Sequence, residues 1–85
     1  MAKVEIYTGP FCGYCARAKQ LLNSKGVAFV EYQIQTDPKL RAEMLQRAKG
    51  ARTVPQIFID DQHIGGSDEL AALERAGKLT SLLAS

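Results

Sequence analysis

Val4-Glu5-Ile6-Tyr7-Thr8-Gly9-Pro10-Phe11-Cys12-Gly13-Tyr14-Cys15 passes from one kind of backbone to another within a single short run. It starts as an apolar, β-prone stretch and breaks at Gly9-Pro10-Phe11. Two thiols then arrive just as a helical pattern begins. Cys15, Ala18, Leu21 and Leu22 recur at helical spacing, and Gly26 supplies a stop. The pattern predicts a strand over 3–8 and a helix from 13 to about 25. Cys12 and Cys15 therefore lie one helical turn apart at a strand-to-helix junction. A pair so placed can close a disulfide, and the free N–H groups and dipole of a helix N-terminus favour a thiolate there. The motif reads as redox chemistry.

Other uses of the two cysteines fit less well. They are the only cysteines of the chain, and a disulfide between them closes too small a loop to constrain the unfolded state much. A closed zinc site wants four ligands, whereas the chain has two Cys and one His, with His63 far along the sequence. No metal site is expected, and His63 reads as a half-exposed strand residue.

The composition, 46% hydrophobic and 24% charged, is that of an ordinary globular protein. A net charge of +2 without a run of Lys or Arg argues against nucleic acid as a partner. No apolar stretch is long enough to span a bilayer, and Met1-Ala2-Lys3-Val4 leads into the strand pattern without a signal peptide. The expectation is one domain over 1–85, in the cytoplasm.

Outward from the motif, a second strand is expected within 27–34, with Phe29, Tyr32 and Ile34 as packing candidates. Asp37-Pro38 supplies an N-cap and a first-position proline for a second helix reaching about 49. Leu40, Met44, Leu45 and Ala48 form its apolar stripe. Lys39, Arg41, Glu43 and Arg47 read as its solvated face. A third strand over 54–59, a turn at Asp60-Asp61-Gln62 and a return at His63-Ile64-Gly65 make a hairpin. Gly66-Ser67 opens a third helix over 68–75, with Leu70 and Leu73 inward, and Leu79, Leu82 and Leu83 suggest a short last one. A right-handed βαβ unit followed by a hairpin gives an α/β fold with a four-stranded mixed sheet flanked by helices.

Taken one at a time, the remaining motifs have ordinary readings. Tyr14 is a surface aromatic, Pro55 starts an edge strand, and Cys15 is a small core residue. Ser67 is an N-cap, followed by the favourable first-turn charges Asp68 and Glu69.

Together they say more. Cys12-Gly13-Tyr14-Cys15, Thr53-Val54-Pro55 and Gly65-Gly66-Ser67-Asp68 occur in this order and spacing, with Val54 to Asp60 and Gln62 to Gly66 also matching. On these residues the chain resembles, over essentially its full length, the glutaredoxins of the thioredoxin-fold superfamily. The likeness is to their short bacterial dithiol type, glutaredoxin 3-like.

The resemblance implies a glutathione-dependent thiol–disulfide oxidoreductase. Cys12 would be the attacking thiolate and Cys15 the resolving thiol. A cis Val54–Pro55 bond would present Val54 to the backbone of glutathione as to an added strand. Tyr14, Thr53, Val54, Pro55, Gly66, Ser67 and Asp68 would bind glutathione, with its γ-glutamyl carboxylate at the third helix N-terminus and its amino group near Asp68 and Glu69. Protein disulfides and glutathionylated proteins would be the substrates of a monomer. A second implied role is a [2Fe–2S] carrier, in which two Cys12 thiolates and two glutathione thiols hold a cluster across a dimer. A third reading is a thioredoxin-like carrier reduced by a flavoprotein, against which Thr53-Val54-Pro55 and Gly65-Gly66-Ser67-Asp68 argue.

The chain departs from the family's pattern at three places. Gly13 stands where many members have proline, Gly9 where a lysine usually supports the thiolate, and Ser67 where some have a further cysteine. Arg17, Lys19, Arg41 and Arg52 are candidates for the missing charge. Phe11 reads as a semi-exposed rim residue beside Cys12.

Overall fold

The computed structural model describes residues 2–84. Its elements are β1 (Val4–Thr8), α1 (Gly13–Ser24), β2 (Val30–Gln33), a 3-10 turn (Ile34–Thr36), α2 (Pro38–Arg47), β3 (Gln56–Ile59), β4 (Gln62–Gly65), α3 (Ser67–Arg75) and α4 (Leu79–Leu83). The sheet runs β2-β1-β3-β4, with β1 parallel to β2 and antiparallel to β3, and with β3 antiparallel to β4. This is the expected four-stranded mixed sheet. No helix among the described residues is long and apolar enough to cross a membrane.

β1 lies inside the sheet and all five of its residues are buried. Because strand side chains alternate, it feeds two cores. Val4 and Ile6 pack with Ala18, Leu22, Ile57, Ile59, Leu70, Leu79 and Leu83 beneath α1, α3 and α4. Tyr7 packs on the other face with Ile34, Met44, Ala48 and Phe58 beneath α2.

The helix starts follow their local chemistry. Asp37 Oδ1 accepts the Lys39 N–H at 2.9 Å, and Pro38 occupies the first helical position of α2. α3 starts one residue before the expected boundary, with Gly66 rather than Ser67 as N-cap. Glycine has no side chain to cap with, so the Glu69 carboxylate folds back instead and accepts the Gly66 N–H at 2.7 Å.

β2 lies within the expected stretch, pairing over Val30–Gln33, while Val27 and Phe29 pack against the core. Two expectations need correction. β3 begins at Gln56, because Thr53-Val54-Pro55 forms a separate loop.

The largest correction concerns α2, since Arg47 lies against the sheet rather than on a solvated face, while Glu43 stays exposed and accepts a bond from the core. The Arg47 guanidinium forks onto Glu5, with Nη2 to Oε1 at 2.9 Å and Nη1 to Oε2 at 3.2 Å. It donates to the Tyr7 hydroxyl at 2.8 Å and lies 4.1 Å from the centre of the Phe58 ring. Tyr7 in turn donates to the Glu43 carboxylate, and Tyr32 donates to Glu5 at 2.9 Å.

Glu5, only 3% exposed on a central strand, is the reason for this cluster. A carboxylate there must be neutralised or paired. The Arg47 hydrogen bonds hold Glu5 below the usual carboxylate range against the opposing effect of burial. Burial, reinforced by the bond to Glu43, pushes the Tyr7 hydroxyl up to about 12.

Candidate active site

Cys12 is the N-cap of α1, with extended backbone at φ −105° and ψ 106°. Its Sγ accepts the Cys15 N–H at 3.2 Å and lies 3.6 Å from the Val54 carbonyl oxygen. An N–H donor from the first helical turn is the contact that steadies negative charge on sulfur. Cys15, in that same turn, is 3% exposed. Burial, with a further contribution from the bond to Cys12, pushes the Cys15 thiol up to about 11. The fold thus separates two chemically identical side chains into an accessible sulfur at the cap and a sequestered thiol behind it.

The strand end that delivers this pair is tied down. Thr8 Oγ1 donates to Glu31 at 2.7 Å, and Lys19 pairs with the same carboxylate at 3.1 Å. The Thr8 bond, followed by Lys19, holds Glu31 below the carboxylate range. Lys19 is therefore committed to an ion pair.

Of the other candidates for the missing charge, Arg17 lies 5.7 Å from the Tyr14 ring centre, and Arg41 and Arg52 are exposed. None of the four donates a hydrogen bond to Cys12 among the described residues. Gly9 has its own reason to be small, since a Cβ there would lie 3.1 Å from Val54 Cγ2. A larger residue would press on the Val54 loop.

Gly13 is different. A Cβ there meets nothing within 4 Å, and the residue occupies the first position of α1, where proline is favoured. Gly13→Pro is expected to stabilise the protein by about 0.4–1 kcal/mol through the unfolded state. Urea unfolding checks this, and a loss of stability would mean that the α1 start needs glycine.

The Val54–Pro55 bond is cis. Tyr14, Thr53, Val54, Pro55, Gly66, Ser67 and Asp68, all seven proposed ligand-binding residues, line a single cleft of about 350 Å³ together with Glu69. α1 supplies Tyr14, the loop before β3 supplies Thr53 to Pro55, and the start of α3 supplies the rest. Glu69 uses one carboxylate oxygen, Oε1, to accept the Gly66 N–H. Gly65, at φ +120°, makes room for it, since a Cβ there would come within 2.8 Å of Glu69 Oε1.

Two further residues support the cleft without lining it. Gln56 is 3% exposed, and its Nε2 donates to Thr53 O at 2.8 Å and Thr53 Oγ1 at 3.2 Å. A carbonyl only accepts, so the amide orientation is fixed, and Gln56 Oε1 faces His63 Nε2 at 2.7 Å. His63 must then carry its proton on Nε2. Its ring also stacks on Phe58 at 5.0 Å between centres. A glutamine inside an otherwise apolar strand was the one available signal of this relay. Its partner could not be named from sequence.

Phe11 is not semi-exposed. It is fully exposed, and its backbone is left-handed at φ +54°. No group of three or more His, Cys, Asp or Glu able to hold a metal occurs among the described residues.

The family model described as Glutaredoxin matches residues 4–64. Glutaredoxin 3 of Escherichia coli is 58% identical over 83 residues, which cover 98% of this chain and 99% of that protein. The solution structure of glutaredoxin from Brucella melitensis superposes with a TM-score of 0.84 at 57% identity, covering 98% of this chain and 89% of the other. The crystal structure of a buckwheat glutaredoxin–glutathione complex superposes with a TM-score of 0.87 at 32% identity, covering 98% and 77%.

Proposed function

The chain belongs to the glutaredoxin family, has its thioredoxin fold and is a thiol–disulfide oxidoreductase; we propose that it works with glutathione, reducing protein disulfides and glutathionylated proteins in the cytoplasm as a monomer. The observation that carries this reading is the cleft that meets Cys12 at Val54, lined by backbone-rich Thr53-Val54-Pro55 on one side and the α3 N-terminus on the other. Val54 suits the backbone of an extended tripeptide, and the α3 N–H groups suit a carboxylate. The carboxylate of Asp68, exposed on the cleft, suits an ammonium group. The glutathione bound in the buckwheat relative supports the same use here.

On a glutathionylated protein, the Cys12 thiolate attacks the glutathione sulfur, the S–S bond breaks, and the protein leaves as a thiolate. A second glutathione thiolate attacks the Cys12 adduct, which forms oxidised glutathione and frees Cys12. On a protein disulfide, Cys12 forms a mixed disulfide with the substrate. The Cys15 thiolate then attacks Cys12, releases the substrate thiolate and leaves Cys12–Cys15 oxidised, to be reduced by two glutathiones.

Exchange between glutathione and a glutathionylated small thiol, coupled to NADPH through glutathione reductase, tests the reading. Steady NADPH consumption is expected. No turnover would remove glutathione as the co-substrate.

Two expected outcomes follow from the geometry. Burial, the largest cause of the raised Cys15 pKa, persists when Cys12 is held in a mixed disulfide, so the Cys15 thiolate fraction should rise about tenfold per pH unit below its pKa. The resolving step should accelerate accordingly with pH, as measured by quench-flow mass spectrometry of a Cys12 mixed disulfide. A flat profile would mean that Cys15 is already ionised there. Gln56→Leu strands the Thr53 carbonyl and the His63 N–H, at a cost of about 1–3 kcal/mol. A raised KM for the glutathionylated substrate, with kcat held, is expected. An unchanged KM would mean that the Thr53 loop holds its place without the relay.

A further inference from the structure

Among the described residues Phe11 is the most exposed large apolar side chain, at 107% relative exposure, and it directly precedes Cys12. It is outside the cleft: the lining residues come from Tyr14, Thr53 to Pro55 and the α3 start. Its backbone lies in the left-handed region, which disfavours a bulky side chain and suits Gly, Asn or Asp. The ring makes no aromatic or cation contact among the described residues. A strained backbone that holds a large ring wholly in water gains nothing within the folded chain. A strained backbone beside a nucleophile points to a contact made with a partner.

The chemistry says which partner. Disulfide exchange places the attacking, central and leaving sulfurs nearly in line. With glutathione seated in the cleft, the leaving half of a glutathionylated substrate extends away from it, over the surface beside Cys12. We propose that Phe11 is the docking contact for that leaving half, and that its occupant is an apolar side chain adjacent to the modified cysteine of a protein substrate. The inference rests on the glutathione reading above. Phe11 leaves the exchange step itself unchanged and selects which thiol is released.

The test uses two glutathionylated peptides of equal length and charge, with Leu or with Ser on either side of the cysteine, and glutathionylated cysteine as the small reference. Each is assayed on the full chain, on Phe11→Asn, which tolerates the left-handed backbone, and on Phe11→Leu, which stays apolar. The parent should prefer the Leu peptide in kcat/KM by about tenfold, as expected for burying one such side chain. Phe11→Asn should reduce the preference to below about twofold while turning over the small reference at the parent rate. Phe11→Leu should retain most of it. Equal preference in the parent and Phe11→Asn overturns the docking contact alone. Failure of the parent on all three substrates overturns the glutathione reading, and the docking contact with it. Sedimentation as a dimer that Phe11→Asn dissolves would assign the ring to a second copy instead.

Discussion

Cys12→Ser is expected to bring thiol–disulfide exchange down to the uncatalysed background with every substrate. A serine hydroxyl does not ionise near neutral pH, so the hydrogen bond from Cys15 N–H would face a neutral oxygen with no base to activate it. Cys15 cannot take over the role. It is 3% exposed, and burial raises its pKa to about 11, which leaves it both inaccessible and protonated. Cys15→Ser should divide the activities, with glutathione transfer through Cys12 continuing and two-thiol reduction of protein disulfides lost. The coupled glutathione assay, paired with mass spectrometry of the trapped adduct, reads both outcomes. A Cys15→Ser protein without any deglutathionylation would contradict the division of roles, as would a glutathione adduct on Cys15 in Cys12→Ser.

The largest stability effect is expected at Arg47. Arg47→Leu leaves Glu5 without its cation in the middle of the sheet and removes the donor to Tyr7. Breaking a buried pair costs about 3–5 kcal/mol. The lower end applies here, because the Arg47 side chain is 23% exposed to Glu5's 4%. About 3 kcal/mol is a large part of the stability of so small a protein. Removing both charges in Glu5→Leu/Arg47→Leu should recover much of the loss.

The pH dependence fixes the sign. Glu5 is held below its ordinary value of 4.5, so its contribution is complete above that pH and fades as pH falls through the lower, folded value. The gap between parent and Arg47→Leu should therefore narrow in acid below about pH 4.5. Denaturant unfolding at several pH values measures this. A gap under about 1 kcal/mol at neutral pH would reduce the cluster to a solvent-screened pair.

Both results bear on how far this protein can be understood from its residues alone. The order of elements, the two core-facing stripes, the Asp37-Pro38 helix start and the Cys12–Cys15 pair are local in character. Each depends on periodicity, a cap or a short spacing, and each could be seen in the sequence. Thr53-Val54-Pro55 and Gly65-Gly66-Ser67-Asp68, short motifs as well, supply most of the residues that line the cleft.

Other features were decided by pairings distant in the chain. Helical spacing puts Arg47 beside Lys39 and Glu43 on a polar stripe, but only the packing of α2 on the sheet brings it over Phe58 and onto Glu5, 42 positions away. The Gln56–His63 relay and the return of Glu69 to Gly66 depend equally on geometry that no local pattern encodes. Phe11 stands in water for a related reason, since exposure depends on what folds over a residue, and nothing does. By itself the sequence determined which elements form and which residues can do chemistry, because those follow from local backbone preference and side-chain type. Only the tertiary structure decided which charge is buried, which thiol is sheltered and which ring is left in water, because burial and pairing belong to the assembled chain.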